Sequence, residues 1–194
     1  MFQFDMCPKR LKEDNISTDK RGRPDLSQYK DSPEYYVNLY EQYLDSLRTR
    51  SPNVQEAQLA YRQRVHAIWG LIANGAKSIP FASQMIKSSN AESREDGAAI
   101  LAEIGNIPEA LQIVLEALTL ETDVSARDSL ILALGAMKNR SAIPTLAKFI
   151  RDENTDEDTR WTAVESLGRI VHRQFLRQKE PIQVAIAWLD KHKM

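Results

Sequence analysis

The sequence predicts an all-α protein, a right-handed superhelix of about four stacked helix pairs with a helical cap at its N-terminal end. The first observation is a pattern that begins with arginine and recurs four times, at intervals of 32, 33 and 33 residues. The second is a proline that follows each copy of the pattern. A fixed period of this length is typical of stacked supersecondary units, each of which buries its apolar face against the next.

The recurring pattern reads RQRVHAIWGLI at residues 62–72, REDGAAILAEI at 94–104, RDSLILALGAM at 127–137 and RWTAVESLGRI at 160–170. Apolar residues 3, 7 and 10 positions after the arginine form one helical stripe. A small residue stands at the eighth position each time, as Gly70, Ala102, Gly135 and Gly168. We therefore expect one type of helix, used four times, to pack closely against a neighbouring helix.

A second helix completes each predicted unit. Pro80, Pro108, Pro144 and Pro181 follow the four patterns, and proline is favoured in the first turn of a helix. Four residues before the last three arginines stand Asn90, Asp123 and Asp156, which are favoured N-cap residues. Gln58 is a weaker cap in the first unit, so the helix there is expected to begin earlier.

The whole pattern, Asp-x-x-x-Arg-x-x-x-Ala/Val-x-x-Leu-Gly-x-Ile followed by Ile-Pro-x-Leu, resembles the HEAT repeat. It is most similar to the short HEAT-like repeats of phycobilisome (bilin) lyases. The resemblance covers residues 58–191 and is strongest over residues 141–151 and 156–170. It departs from the family at Ala102, where glycine is usual, and at the long connection of residues 172–180. It implies a HEAT-like solenoid and leaves the activity open.

The N-terminal third is expected to contain an arm and a cap. Residues 1–32 are polar and charged, which predicts an arm on the protein surface. The alternative, a basic tail that binds nucleic acid, is poorly supported because acids follow each Lys-Arg cluster. Residues 33–57 are expected to cap the repeat array of residues 58–194, with Ser32 and Pro33 beginning a helix. The apolar stripe of this helix consists of Tyr36, Leu39, Tyr40, Tyr43, Leu44 and Leu47. Instead of capping the array, this stripe could form a binding surface. Asn53 is expected to cap a helix that reaches Asn74.

The charge balance argues against nucleic acid as a partner. Lys plus Arg number 26 and Asp plus Glu 27, which gives a net charge of -1. A domain that binds phosphates normally carries a positive excess. One cysteine, Cys7, excludes an intramolecular disulfide, and no apolar run approaches the length of a membrane span. We therefore expect a soluble cytoplasmic protein that does not bind membranes, and the charge balance makes nucleic acid a disfavoured partner.

The residues offer little catalytic chemistry. His66, His172 and His192 are far apart in the sequence, and neither metal-ligand spacing, a phosphate-binding glycine loop nor a nucleophile elbow occurs. We predict no catalytic, cofactor-binding or metal-binding residues and no cofactor. The repeated arginines could bind anions, but their period favours structural pairing with a cap acid such as Asp123 or Asp156, or with helix-end carbonyls. They are Arg62, Arg94, Arg127 and Arg160.

Two surfaces are candidates for binding a partner. The second helices line the concave side in arrays that this chain resembles, and their exposed positions are mildly acidic, which suits a basic protein surface. They are Phe81, Gln84, Ser88, Glu109, Gln112, Glu116, Thr145, Lys148 and Asp152. The other candidate is the basic stretch of residues 169–179, with Arg169, Arg173 and Arg177, which could instead complement its own helix dipole.

Two functions from different classes therefore remain. The first is a non-catalytic module that binds another protein as an adaptor, inhibitor or immunity-type factor. The second, implied by the resemblance, is a bilin lyase or lyase subunit acting on phycobiliproteins, for which Arg169, His172 and Arg173 are the best available charged residues. A HEAT-like DNA glycosylase is a remote third, because the second helices carry the wrong charge for DNA. We favour the binding module.

Overall fold

The computed structural model describes residue 18 and residues 23–48 and 53–194. These residues form α-helices and short 3₁₀ turns without a β-strand, so the predicted all-α class is confirmed for them. The helices are α1 (Pro33–Leu47), α2 (Val54–Ala73), α3 (Ile79–Ile86), α4 (Ala91–Ile104), α5 (Pro108–Leu120), α6 (Val124–Met137), α7 (Ile143–Arg151), α8 (Glu157–Val171) and α9 (Pro181–Lys191). We call α2, α4, α6 and α8 the first helices and α3, α5, α7 and α9 the second helices. No described helix is both long and apolar enough to cross a membrane.

The helices begin where the sequence predicts. Asn53 and Glu56 form a reciprocal capping box, with both hydrogen bonds at 3.0 Å. The side chains of Asn90, Asp123 and Asp156 each accept a hydrogen bond from the backbone N–H three residues on, at 3.1, 3.0 and 2.8 Å. These bonds satisfy N–H groups that have no partner inside the helix. The predicted caps are therefore confirmed.

The chain divides into two compact units, the first ending at Phe81 and the second extending from Ala82 to Met194. Residues 1–17, 19–22 and 49–52 lie outside the described residues. They include Cys7, Pro8, Gly22 and most of the predicted arm. The proposed boundaries at residues 32 and 57 stay predictions.

In the first unit α1 packs along α2. Tyr36 lies directly against Gly70, where a Cβ atom would collide with the tyrosine ring. Tyr36, Tyr40 and Tyr43 are buried, whereas Leu47, at the end of the predicted stripe, is 49% exposed. The buried face of α1 is therefore formed by three of its tyrosines.

In the second unit the first helices pack tightly against one another, α4 along α6 and α6 along α8. A Cβ atom on Gly135 would lie 2.7 Å from the Cα atom of Ser166, so glycine permits this close approach. At Gly168 the close neighbour is instead the carbonyl oxygen of Arg173, in the connection before α9. The second helices approach one another less closely. Tandem helix pairs are thus present, and the row of second helices is the more open one.

Candidate functional site

A groove lies between α3 and α5 in the second unit, because consecutive second helices do not pack tightly. Its volume is about 460 Å³, and we call it the α3–α5 groove. Apolar atoms make up most of its lining area, although seven of the eleven lining residues are polar or charged. The lining residues are Ser83, Ile86, Lys87, Ser88, Arg94, Ile113, Glu116, Ala117, Leu120, Glu121 and Thr122.

A nearly buried ion pair forms part of the groove lining. Arg94 donates from Nε and Nη2 to the two carboxylate oxygens of Glu121, at 2.7 and 2.9 Å. Nη1 of Arg94 also donates to the carbonyl oxygens of Ser88 and Ser89. The hydrogen bonds from Arg94 lower the pKa of the Glu121 carboxyl below its ordinary value. Because the two charges satisfy each other, the ion pair does not present a free charge to a ligand.

The open part of the groove exposes an apolar side chain. Leu120, at the end of α5, is 82% exposed, and Ile113 and Ala117 on the same helix are half-buried. Exposed Lys87 and Glu116 also line the groove, and Glu116 accepts a 2.8 Å hydrogen bond from Gln112. An apolar strip flanked by polar groups is the usual composition of a site that binds another protein.

The structure brings only some of the predicted second-helix residues to this groove. Glu116 and Ser88 line it, and Gln112 contacts Glu116. The others are distributed along the second helices: Gln84, Glu109, Lys148 and Asp152 are exposed, Thr145 is half-buried, and half-buried Phe81 belongs to the first unit.

The basic stretch contains one arginine that is already paired. Arg169 donates to Glu165, one turn earlier on α8, at 2.6 Å. Arg173 and Arg177 are exposed, and His172 ends α8 in the left-handed conformation. The acid that neutralises Arg169 is Glu165, which lies outside residues 169–179 and four residues earlier on the same helix. The positive charge available to a partner is therefore smaller than the sequence of residues 169–179 indicates.

The repeated arginines make contacts near the boundaries between consecutive helix pairs of the repeat. Arg127 donates to Asp156, the N-cap of α8, at 3.0 Å. Arg160 donates through Nε and Nη2 to the carbonyl oxygen of Ile150, at 3.1 and 3.0 Å. Arg94 pairs with Glu121 as described, and Arg62 is exposed in the first unit. These interactions engage helix ends and cap residues.

Metal chemistry has no evident location in the described part of the chain, where no group of three or more His, Cys, Asp or Glu side chains is gathered. The residues missed by sequence reasoning are apolar. Ile113 and Leu120 lie off the buried stripe of α5, which contains Leu111, Val114 and Leu118. The signal available in the sequence was the presence of an apolar residue outside the buried stripe of its helix.

The repeat geometry of the second unit agrees with a known family. Residues 120–192 match the family model described as HEAT repeats. This HEAT-repeat segment extends from the end of α5 to the end of α9. The resemblance read from the sequence extends further, back to residue 58. No curated protein matches the chain.

Proposed function

We propose that this chain is a non-catalytic, cytoplasmic protein-binding module that binds its partner through the face of the second helices, centred on the α3–α5 groove. The observation that carries the proposal is Leu120, which is 82% exposed beside a groove lined by further apolar side chains. Exposed apolar patches that are rimmed by polar residues mark sites that bind other proteins.

The surroundings of Leu120 support a protein as the ligand. The charges of Arg94 and Glu121 in the groove lining are paired, so binding depends on apolar burial and on the exposed residues Lys87 and Glu116. Adaptors, inhibitors and immunity-type factors all work by such binding. The single cysteine cannot form an intramolecular disulfide, so it gives no reason to place the protein in an oxidising compartment.

The test is quantitative affinity capture from the native host, comparing the wild-type chain with Leu120→Glu. A charge at the centre of an apolar contact leaves that charge desolvated, so recovery of a specific partner should fall by about tenfold or more. Leu59→Glu is the matched control, because Leu59 is also exposed, at 59%, and does not line the groove. Circular dichroism of each variant checks that the helices remain folded.

A partner that Leu120→Glu loses and Leu59→Glu retains would support the proposal. Equal recovery by all three proteins would contradict it. A visible absorption band in the purified protein, together with recovery of phycobiliprotein, would replace it with the bilin-lyase function.

A further inference from the structure

The two sides of α8 differ in what covers them. Thr159 donates from its hydroxyl to Asp128 on α6 at 2.7 Å, so this side of α8 faces the preceding first helix, α6. Trp161 follows two residues later, which places it about 200° around the helix, on the opposite side. No further first helix covers that side within the described residues.

The connection before α9 covers one half of the opposite side. Phe175 is buried near Gly168 and meets Trp188 of α9 edge-on, with 6.1 Å between the ring centroids. Trp161 lies two turns earlier on α8 and remains 37% exposed. The covered half of the face is thus the C-terminal half, and the half at Trp161 is open.

The open half forms a groove of about 650 Å³ beside Trp161, which we call the Trp161 groove. One wall is formed by residues 153–157, in the turn before α8 and its first residue. The other wall is formed by residues 179–183, at the start of α9. All of these residues belong to the second unit, and the groove lies apart from the lining residues of the α3–α5 groove.

The charges around the Trp161 groove are predominantly negative. Four acids line it, namely Glu153, Asp156, Glu157 and Glu180, against the two cations Arg160 and Lys179. The carbonyl oxygen of Ile150 accepts two hydrogen bonds from Arg160, which hold its guanidinium at the end of α7 without cancelling its charge. Asp156 is likewise engaged by Arg127 and by its cap bond.

The position of Trp161 adds geometry to this charge. Its Nε1–H points to the carboxylate of Glu157 at 3.3 Å, while Glu153 and Glu180 are exposed. An aromatic face beside a carboxylate matches a guanidinium, which stacks on the ring and donates hydrogen bonds to the acid at the same time. Lysine has no planar group to stack, so arginine is favoured.

We propose that the Trp161 groove binds an arginine side chain carried by an extended basic segment of a partner protein. The guanidinium stacks on Trp161 and donates to Glu157, and neighbouring basic residues face Glu153 and Glu180. The apolar face of the tryptophan and the complementary charge select this occupant. The inference stands on residues other than those that carry the proposed function.

The probe is a fluorescein-labelled peptide of alternating arginine and glycine, titrated with the full chain by fluorescence anisotropy in 150 mM salt. Wild-type protein should bind it and should bind the lysine analogue more weakly, by about fivefold. Trp161→Ala and the double variant Glu157→Gln with Glu180→Gln should each weaken binding by about tenfold. Trp161→Phe, which keeps an aromatic ring, should retain part of the affinity and guards against an effect of misfolding.

The matched control is Glu41→Gln with Glu109→Gln, which removes the same charge from exposed positions that line neither groove. Unchanged binding by this control, with loss in the groove variants, would support the Trp161 groove. No binding by wild-type protein, equal binding of the lysine peptide, or equal loss in the control would overturn it. Leu120→Glu should leave peptide binding unchanged, so failure here and failure of the proposed function are distinguishable.

Discussion

At the scale of single residues, two carboxyl groups in the second unit have opposite environments. Glu121 accepts from Arg94 and from the backbone N–H groups of Thr122 and Asp123, so its pKa is lowered. Asp128 loses water on burial, which raises its pKa, although the Thr159 hydroxyl donates to it. Glu121 is thus stabilised as a charge, whereas burial of Asp128 disfavours its charge.

Glu121→Gln should lower the free energy of unfolding by about 2 kcal/mol at pH 7, because hydrogen bonds to a charged group are lost and Arg94 keeps a charge without its partner. The folded pKa lies below the ordinary value of 4.5, so the contribution of Glu121 is complete above that pH and is lost as pH falls through the folded pKa. Urea denaturation from pH 7 to pH 3 measures this difference.

The control for Glu121 is Glu109→Gln, an exposed acid on the same helix, which should change the unfolding free energy by less than about 0.5 kcal/mol. A difference between wild type and Glu121→Gln that stayed constant down to pH 3 would contradict the electrostatic explanation.

At the scale of the elements, the arrangement of the first helices depends on small residues. Gly70 receives the ring of Tyr36 in the first unit, and Gly135 receives Ser166 in the second. The sequence predicts this contact type from a small residue that recurs beside the apolar stripe. It does not identify the contacting atom, because that atom comes from a helix about 30 residues away.

Gly135→Ala should destabilise the fold by about 1–3 kcal/mol, because the added Cβ would lie 2.7 Å from the Cα atom of Ser166 and α6 and α8 would have to separate. Alanine is otherwise the better helix former by about 1 kcal/mol, so the sign of the change is diagnostic. Adding Ser166→Gly removes the nearby Cβ and Oγ atoms and should recover part of the loss. An unfolding midpoint for Gly135→Ala equal to or above wild type would show that the helices tolerate the methyl group.

At the scale of the whole molecule, 26 basic and 27 acidic residues leave almost no net charge to attract a polyanion. Paired side chains reduce the free positive charge further, since Arg94, Arg127 and Arg169 each contact an acid. The acidic Trp161 groove adds local repulsion. We therefore expect nucleic acid to be a poor ligand for this surface.

A labelled 20-base-pair duplex should show no saturable binding below about 100 µM protein in 150 mM salt, at the weak end of non-specific affinities. Fluorescence anisotropy measures this, with a basic DNA-binding domain as the positive control. A dissociation constant near 1 µM that weakened steeply with added salt would show that a basic surface is present after all.

The sequence by itself determined the repeat, the helix type and the helix starts, because these depend on residues close together in the chain. Asn53, Asn90, Asp123 and Asp156 cap helices through bonds that span three residues. The arginine pattern and the proline after it set the two helices of each unit by local spacing alone. The architecture could therefore be predicted from the sequence without the structure.

The tertiary structure alone decided which surfaces are open. Leu120 and Trp161 look like core residues by composition, and only the positions of neighbouring helices leave them exposed. The charge of Arg94 is likewise cancelled by Glu121, which lies 27 residues away in the chain. Exposure and charge pairing depend on which elements stand next to each other. Both are therefore properties of packing. A periodic sequence pattern shows only what the repeats have in common, and not which side chain of one repeat stays exposed.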